Sequence, residues 1–131
     1  MKRVVIESPF AGRSNGAPWP INIIVKWLDR RQNIRYLRAC IRNSLNRGEA
    51  PFASHAIYTQ PGVLDDSNSN ERNHGIQAGF EWAAVASLRA VYTDRGESFG
   101  MKLGVDNAKK YGQPIEYRSL PSWRRAKMPT L

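Results

Sequence analysis

Three short stretches of this chain share one layout, an apolar run or its end passing into polar and glycine residues where a helical stretch begins. They are Val4-Val5-Ile6-Glu7-Ser8-Pro9-Phe10-Ala11-Gly12, Ser54-His55-Ala56-Ile57-Tyr58-Thr59 and Tyr92-Thr93-Asp94-Arg95-Gly96-Glu97-Ser98-Phe99-Gly100-Met101. In an open α/β sheet such junctions gather at the carboxyl ends of the strands, where ligands bind. The pattern predicts a small α/β domain with one polar pocket.

The elements between the junctions agree. Residues 3–7 read as a buried β-branched strand stopped by Ser8-Pro9. The breaker-rich run 13–20 reads as a loop, and Ile21, Ile24, Val25 and Leu28 recur at helical spacing beside Trp27. Those residues suit a short helix over the pocket, a contact between protomers, or more core. A helix is predicted over 33–46, with Ile34, Leu37, Ile41 and Leu45 as its stripe and Gly48 just past its end. A second strand is expected over 51–55, then a polar loop over 60–70. Asn68 three residues before Glu71 resembles a capping box opening a helix over 71–87, with Ile76, Phe80, Ala83, Ala84 and Ser87 inward. A strand over 90–93, a helix over 98–111 and a strand over 113–118 complete a β-α-β-α-β-α-β order. That order predicts a three-layer α/β sandwich on a mainly parallel sheet of 4–5 strands, flavodoxin- or Rossmann-like, with right-handed crossovers. One domain is expected over 1–120, with 13–32 as an insertion and 121–131 as a basic arm.

Composition narrows the class. At 131 residues with 41% hydrophobic and 24% charged residues, the chain can bury a core without staples. Its single Cys40 excludes an internal disulfide and suits buried filler better than a reactive thiol. No apolar run approaches the ~20 residues of a membrane span, so the expected location is the cytoplasm. The formal charge of +9 favours anionic partners without choosing among nucleic acid, anionic surfaces and phosphorylated small molecules. Arg35, Arg38 and Arg42 fall on one helix side and Arg124, Arg125 and Lys127 in the tail, where a solvated face and a solubilising end are the plainer reading.

Glu7, at the end of the first strand, is placed to accept ribose hydroxyls or to cap neighbouring amides, and Gly12 would let the backbone approach a ligand. Asp94 holds the equivalent place after the third strand. Ser98, Gly100 and Met101 open a helix whose amides favour an anion, although neither GxGxxG nor GxxxxGKS is present. Ser8, Phe10, His55 and Tyr58 supply hydrogen bonds and rings to a base, with His55 also able to move a proton. Two histidines and one cysteine at unrelated spacings suggest no metal, and no cofactor is expected.

The Glu7–Gly12 turn, the stretch from Phe52 to Thr59 and the run from Tyr92 to Arg118 together resemble the nucleoside 2-deoxyribosyltransferase-like family, and its small phage and bacterial branch most closely. The resemblance covers residues 3–12 and 33–118. It implies a flavodoxin-like core binding a nucleoside at the strand ends, with Ser8-Pro9-Phe10 beside the base and Asp94 on the sugar. In the family's enzymes a helix glutamate in a Glu-x-Gly-x-Ala run carries the deoxyribosyl group as an ester. The matching run here is Lys102-Leu103-Gly104-Val105-Asp106, and a lysine cannot form that ester.

The first expectation is therefore a protein that binds a nucleoside, nucleotide or nucleotide-derived signal, such as a phage protein sequestering a messenger of host defence. The alternative is an N-glycosidic hydrolase or transferase relying on Glu7 or Glu97. A third reading is a nucleic-acid or protein-binding module using the basic surface, and the expected assembly is a homodimer through 13–32.

Overall fold

Val4, Val5 and Ile6 are apolar on both sides of their strand, the signature of a strand covered on both faces. A computed structural model of the chain describes residues 1–123. Its elements in order are β1 (Arg3–Glu7), α1 (Ile21–Asn46), β2 (Ala50–Phe52), α2 (Ser54–Ile57), α3 (Ser69–Ala83), β3 (Leu88–Tyr92), α4 (Phe99–Lys110) and β4 (Ile115–Arg118). The four strands form one parallel sheet in the order β2-β1-β3-β4. This is an α/β fold of the Rossmann-like, three-layer kind.

The two faces differ in what they bury. Val4, Ile6, Leu88, Ala90 and Tyr92 pack with Tyr36, Leu37 and Cys40 of α1, and Leu120 joins them. Each large aliphatic side chain buried this way contributes roughly 1.5–3 kcal/mol. On the other face Val91 packs with Met101 and Val105 of α4 in a smaller cluster. Most of the core thus lies on the α1 side, which leaves the α3–α4 side able to hold polar groups.

Helix α1 departs from the expectation for 21–46. It is one continuous 26-residue helix, because nothing between Leu28 and Asn33 breaks it. Its buried face carries Asn33, Tyr36, Leu37, Cys40 and Ser44, while Leu45 is exposed. Three of those residues are polar, and burial is tolerable because each is satisfied. Asn33 Nδ2 donates to the carbonyls of Phe10 and Ala11, Tyr36 Oη donates to Asp94, and Ser44 Oγ donates to Glu49. Arg35, Arg38 and Arg42 are exposed, and so are Trp19, Ile23 and Trp27.

The ends of the other helices follow their caps. Asn68 Oδ1 accepts from the amides of Asn70 and Glu71, fixing the start of α3, but the Glu71 carboxylate accepts from Asp65 N and not from Asn68. Ser98 and Met101 cap α4 reciprocally. The expected strand over 51–55 stops at Phe52, and Ser54–Ile57 turns into the short helix α2. The chain from Leu120 does not leave as an arm at once, since Trp123 packs edge-on to Tyr36 with centroids 5.0 Å apart. Arg124, Arg125 and Lys127 lie outside the described residues. Among the described residues no helix is long and apolar enough to cross a membrane.

Candidate functional site

In the order β2-β1-β3-β4, β1 leads outward to one edge of the sheet and β3 to the other. A crevice at the carboxyl ends of β1 and β3 follows from that divergence. A cleft of about 120 Å³ lies there, walled by the end of β1, by α2 and α3, and by the first turns of α4.

Its floor is an ion pair. Residues Val5 and Arg89 are register partners, as are Glu7 and Val91, so Glu7 and Arg89 project from the same face of neighbouring strands. The Arg89 side chain is 1% exposed, and its Nη1 lies 3.1 Å from Glu7 Oε2. The same nitrogen donates to the Gly104 carbonyl at 2.5 Å, and Nη2 donates to Asn107 Oδ1 at 2.9 Å. Burial raises the Glu7 carboxyl to about 7, against the lowering effect of the Arg89 charge and hydrogen bond. Near neutral pH Glu7 is therefore present both as donor and as acceptor.

Gly104 makes this packing possible. A Cβ added there would collide with all three atoms of the Glu7 carboxyl group. The helix motif thus presents its glycine to a carboxylate that comes from β1. Lys102, two residues earlier, is exposed.

Beside Glu7, Ser8 is buried and its Oγ lies 3.0 Å from His55 Nε2. Burial lowers the His55 imidazole to about 4, so it is neutral at pH 7 and pairs with the hydroxyl without a charge. His55 reaches the cleft from α2, where Thr59 Oγ1 donates to its carbonyl. The Phe10 ring stands edge-on to His55 at 6.1 Å, and the Arg30 guanidinium lies 4.8 Å from the Phe10 centroid.

Glu7, Ser8, Phe10, His55, Ser98, Gly100 and Met101 all line this cleft, as Phe80, Arg72, Asp66 and Gly104 do. Tyr58 lines an adjoining side cavity with His55, Asp66 and Arg72. Gly12 stands elsewhere: a Cβ on it would collide with the Lys26 carbonyl, so it serves the close packing of its loop on α1. Glu97 is exposed in the turn before α4 and does not line the cleft.

Asp94 lies on the α1 side of the sheet. Its Oδ2 accepts from Tyr36 Oη at 2.7 Å and from Leu120 N at 2.8 Å, and its own amide donates to Tyr36 Oη at 2.9 Å. It ties α1, the end of β3 and the chain after β4 together. Replacing Asp94 by Ala is expected to cost about 1–3 kcal/mol, the range for leaving buried polar groups unpaired. Ligand binding at the cleft should be unaffected. Urea unfolding and a binding isotherm on the same preparation check both halves.

The sequence alone does not single out Arg89 or Arg72. Arg89 was detectable, because an arginine inside Leu88-Arg89-Ala90-Val91-Tyr92 would be buried and a buried charge requires a partner. Arg72 has no such signal; on a helix surface it resembles any solvated cation.

The chain belongs to the family described as Domain of unknown function (DUF7768), whose model matches residues 2–118, from the start of β1 to the end of β4. No curated protein and no solved structure matches it.

Proposed function

We propose that this chain binds a nucleoside, nucleotide or nucleotide-derived small molecule in the cleft at the ends of β1 and β3. The observation that carries the reading is the convergence of Glu7, the Ser8–His55 pair and Phe10 in one recess at the point where the strand order diverges. Glu7 takes sugar hydroxyls, as acidic residues at strand ends do in dinucleotide folds. Ser8 and His55 meet the polar edge of a base, and Phe10 and Phe80 form its apolar walls. A nucleotide messenger held without turnover fits the same roles. The exposed Trp19, Ile23 and Trp27 make a second copy of the chain the fitting partner for 13–32.

A second reading is favoured by one observation, the carboxyl of Glu7 held at about 7. A group near the operating pH suits general acid–base work. In N-glycosidic cleavage Glu7 would deliver its proton to the departing base as the bond from the anomeric carbon to nitrogen breaks. Water would then add to that carbon, returning its proton to the Glu7 carboxylate.

The pure protein, incubated with mixed nucleosides, nucleotides, cyclic nucleotides and ADP-ribose, is filtered and denatured, and what it releases is identified by mass spectrometry. Intact ligand near one per chain, reduced at least tenfold in Glu7→Gln, is the expected result. Free base and sugar in the filtrate, absent with Glu7→Gln, would establish the enzymatic reading instead. Neither binding nor cleavage would overturn both.

A further inference from the structure

We infer that the ligand of this cleft is an anion, a phosphorylated nucleoside, and that its charge is held by Arg72 of α3 with Arg30 of α1 beside it. The inference rests on the nucleoside reading above and specifies its substrate class.

Arg72 is half-buried and lines both the cleft and the side cavity that opens from it. Among the described residues its guanidinium makes no hydrogen bond or ion pair. Arg13, Arg47, Arg89, Arg95 and Arg118 each pair with a carboxylate, and the other arginines without an ion pair among the described residues are exposed. A guanidinium partly removed from water and lacking a counter-ion gains most from an incoming phosphate, which it can grip with two parallel hydrogen bonds. Arg30 brings a second cation near the cleft: its guanidinium stacks on Phe10, which lines the cleft, and it lines a neighbouring cavity with Asp66 and Glu71.

At the other candidate for a phosphate, the start of α4, the Ser98 and Met101 amides are already engaged. Ser98 Oγ accepts from Met101 N at 3.2 Å, and Met101 Sδ accepts from Ser98 N at 3.4 Å. The acids that face Arg72 are Asp66 and Glu71, and Glu71 Oε1 already accepts from Asp65 N. They oppose a bound anion in part, so the attraction is one that salt screens readily.

The test is calorimetric titration of the protein with the four common nucleosides and, separately, their 5′-monophosphates, for the wild type and Arg72→Gln. At least one monophosphate should bind wild type tenfold or more tightly than its nucleoside, and the difference should vanish in Arg72→Gln. Equal affinity for the two in the wild type would overturn the inference while leaving the nucleoside reading standing. If no compound of either set binds, the nucleoside reading falls and inorganic pyrophosphate judges the anion site alone. A rise in Tm for wild type and none for Arg72→Gln supports it; the same shift in both, or none in either, overturns it.

Discussion

Replacing Arg89 by leucine is expected to lower the unfolding free energy by about 3–5 kcal/mol at pH 8, the range for removing one partner of a buried ion pair. The guanidinium is buried on β3 and donates to three acceptors, Glu7 Oε2, the Gly104 carbonyl and Asn107 Oδ1. Its loss strands all three. The cost depends on pH in a way that a simple cavity would not. Glu7, already raised to about 7 by burial, is driven higher without the cation. At pH 5 the folded protein carries Glu7 protonated with or without Arg89, so the penalty for an unpaired charge disappears and the loss is smaller than at pH 8. Replacing both residues, Glu7 by Leu and Arg89 by Met, removes charge and counter-charge together. That variant should recover much of the stability, since apolar replacements of buried pairs are often neutral, yet it should bind no ligand. Urea unfolding of the three variants at pH 5 and pH 8 separates these effects.

The second large effect is a pH dependence that the wild type conceals. Glu7 is raised from 4.5 to about 7 on folding, so its contribution is fully present below pH 4.5 and is lost as pH rises through 7. His55 is lowered from 6.5 to about 4, so its contribution is present above pH 6.5 and is lost as pH falls through 4. Between pH 4.5 and 6.5 the folded chain holds a proton on Glu7 that the unfolded chain has released. Over the same window the unfolded chain holds one on His55 that the folded chain lacks. The slopes have opposite signs and nearly cancel. Removing either group exposes the other. Glu7→Gln should become more stable relative to wild type as pH rises from 4.5 to 7, and His55→Asn should become more stable relative to wild type as pH falls from 6.5 to 4. Between those two variants the difference in stability should change by up to about 6 kcal/mol across pH 4–7, since each shift of one unit is worth about 1.4 kcal/mol. Chemical denaturation of both at half-unit pH intervals reads it directly. Parallel curves for the two variants would mean that neither group is perturbed by the cleft.

The sheet was legible because its strands are short apolar runs bounded by proline, glycine and polar residues. Val4 to Ile6 could hardly be anything but a covered strand, and Gly48 and Gly112 follow α1 and α4 with the positive φ that helix ends favour. Helix α1 was harder, since its first half is largely solvent-facing and its buried face uses Asn33, Tyr36 and Ser44. Periodicity of apolar residues cannot find polar residues whose partners come from other elements. The strand predicted over 51–55 failed for a related reason: Ser54 begins a helix after only three strand residues, and β-branching is absent from Ala50-Pro51-Phe52.

The cleft was legible in outline from where strands end. Glu7, Ser8 and Phe10 follow one strand directly, so their meeting needs only that strand's position. Asp94 has the same place in sequence but turns to the opposite face, where Tyr36 and Leu120 claim it. Which face a loop residue takes depends on partners more than fifty residues away for Tyr36, and no local pattern encodes that. Gly104 of α4 is the reverse case. The sequence shows Lys102, and only the packing of β1 against Gly104 reveals a carboxylate beside that helix.

The nucleotide-like ligand proposed for the cleft around Glu7 can be sought on the protein itself. The most direct measurement is a two-dimensional amide NMR titration of the assigned protein with each common 5′-monophosphate in turn. Saturable shifts concentrated at Glu7, Ser8, His55, Arg72 and Ser98 to Met101 are expected, with Asp94 and the Arg35-Arg38-Arg42 face little changed. Shifts confined to that arginine face, or none at any cleft residue, would contradict it.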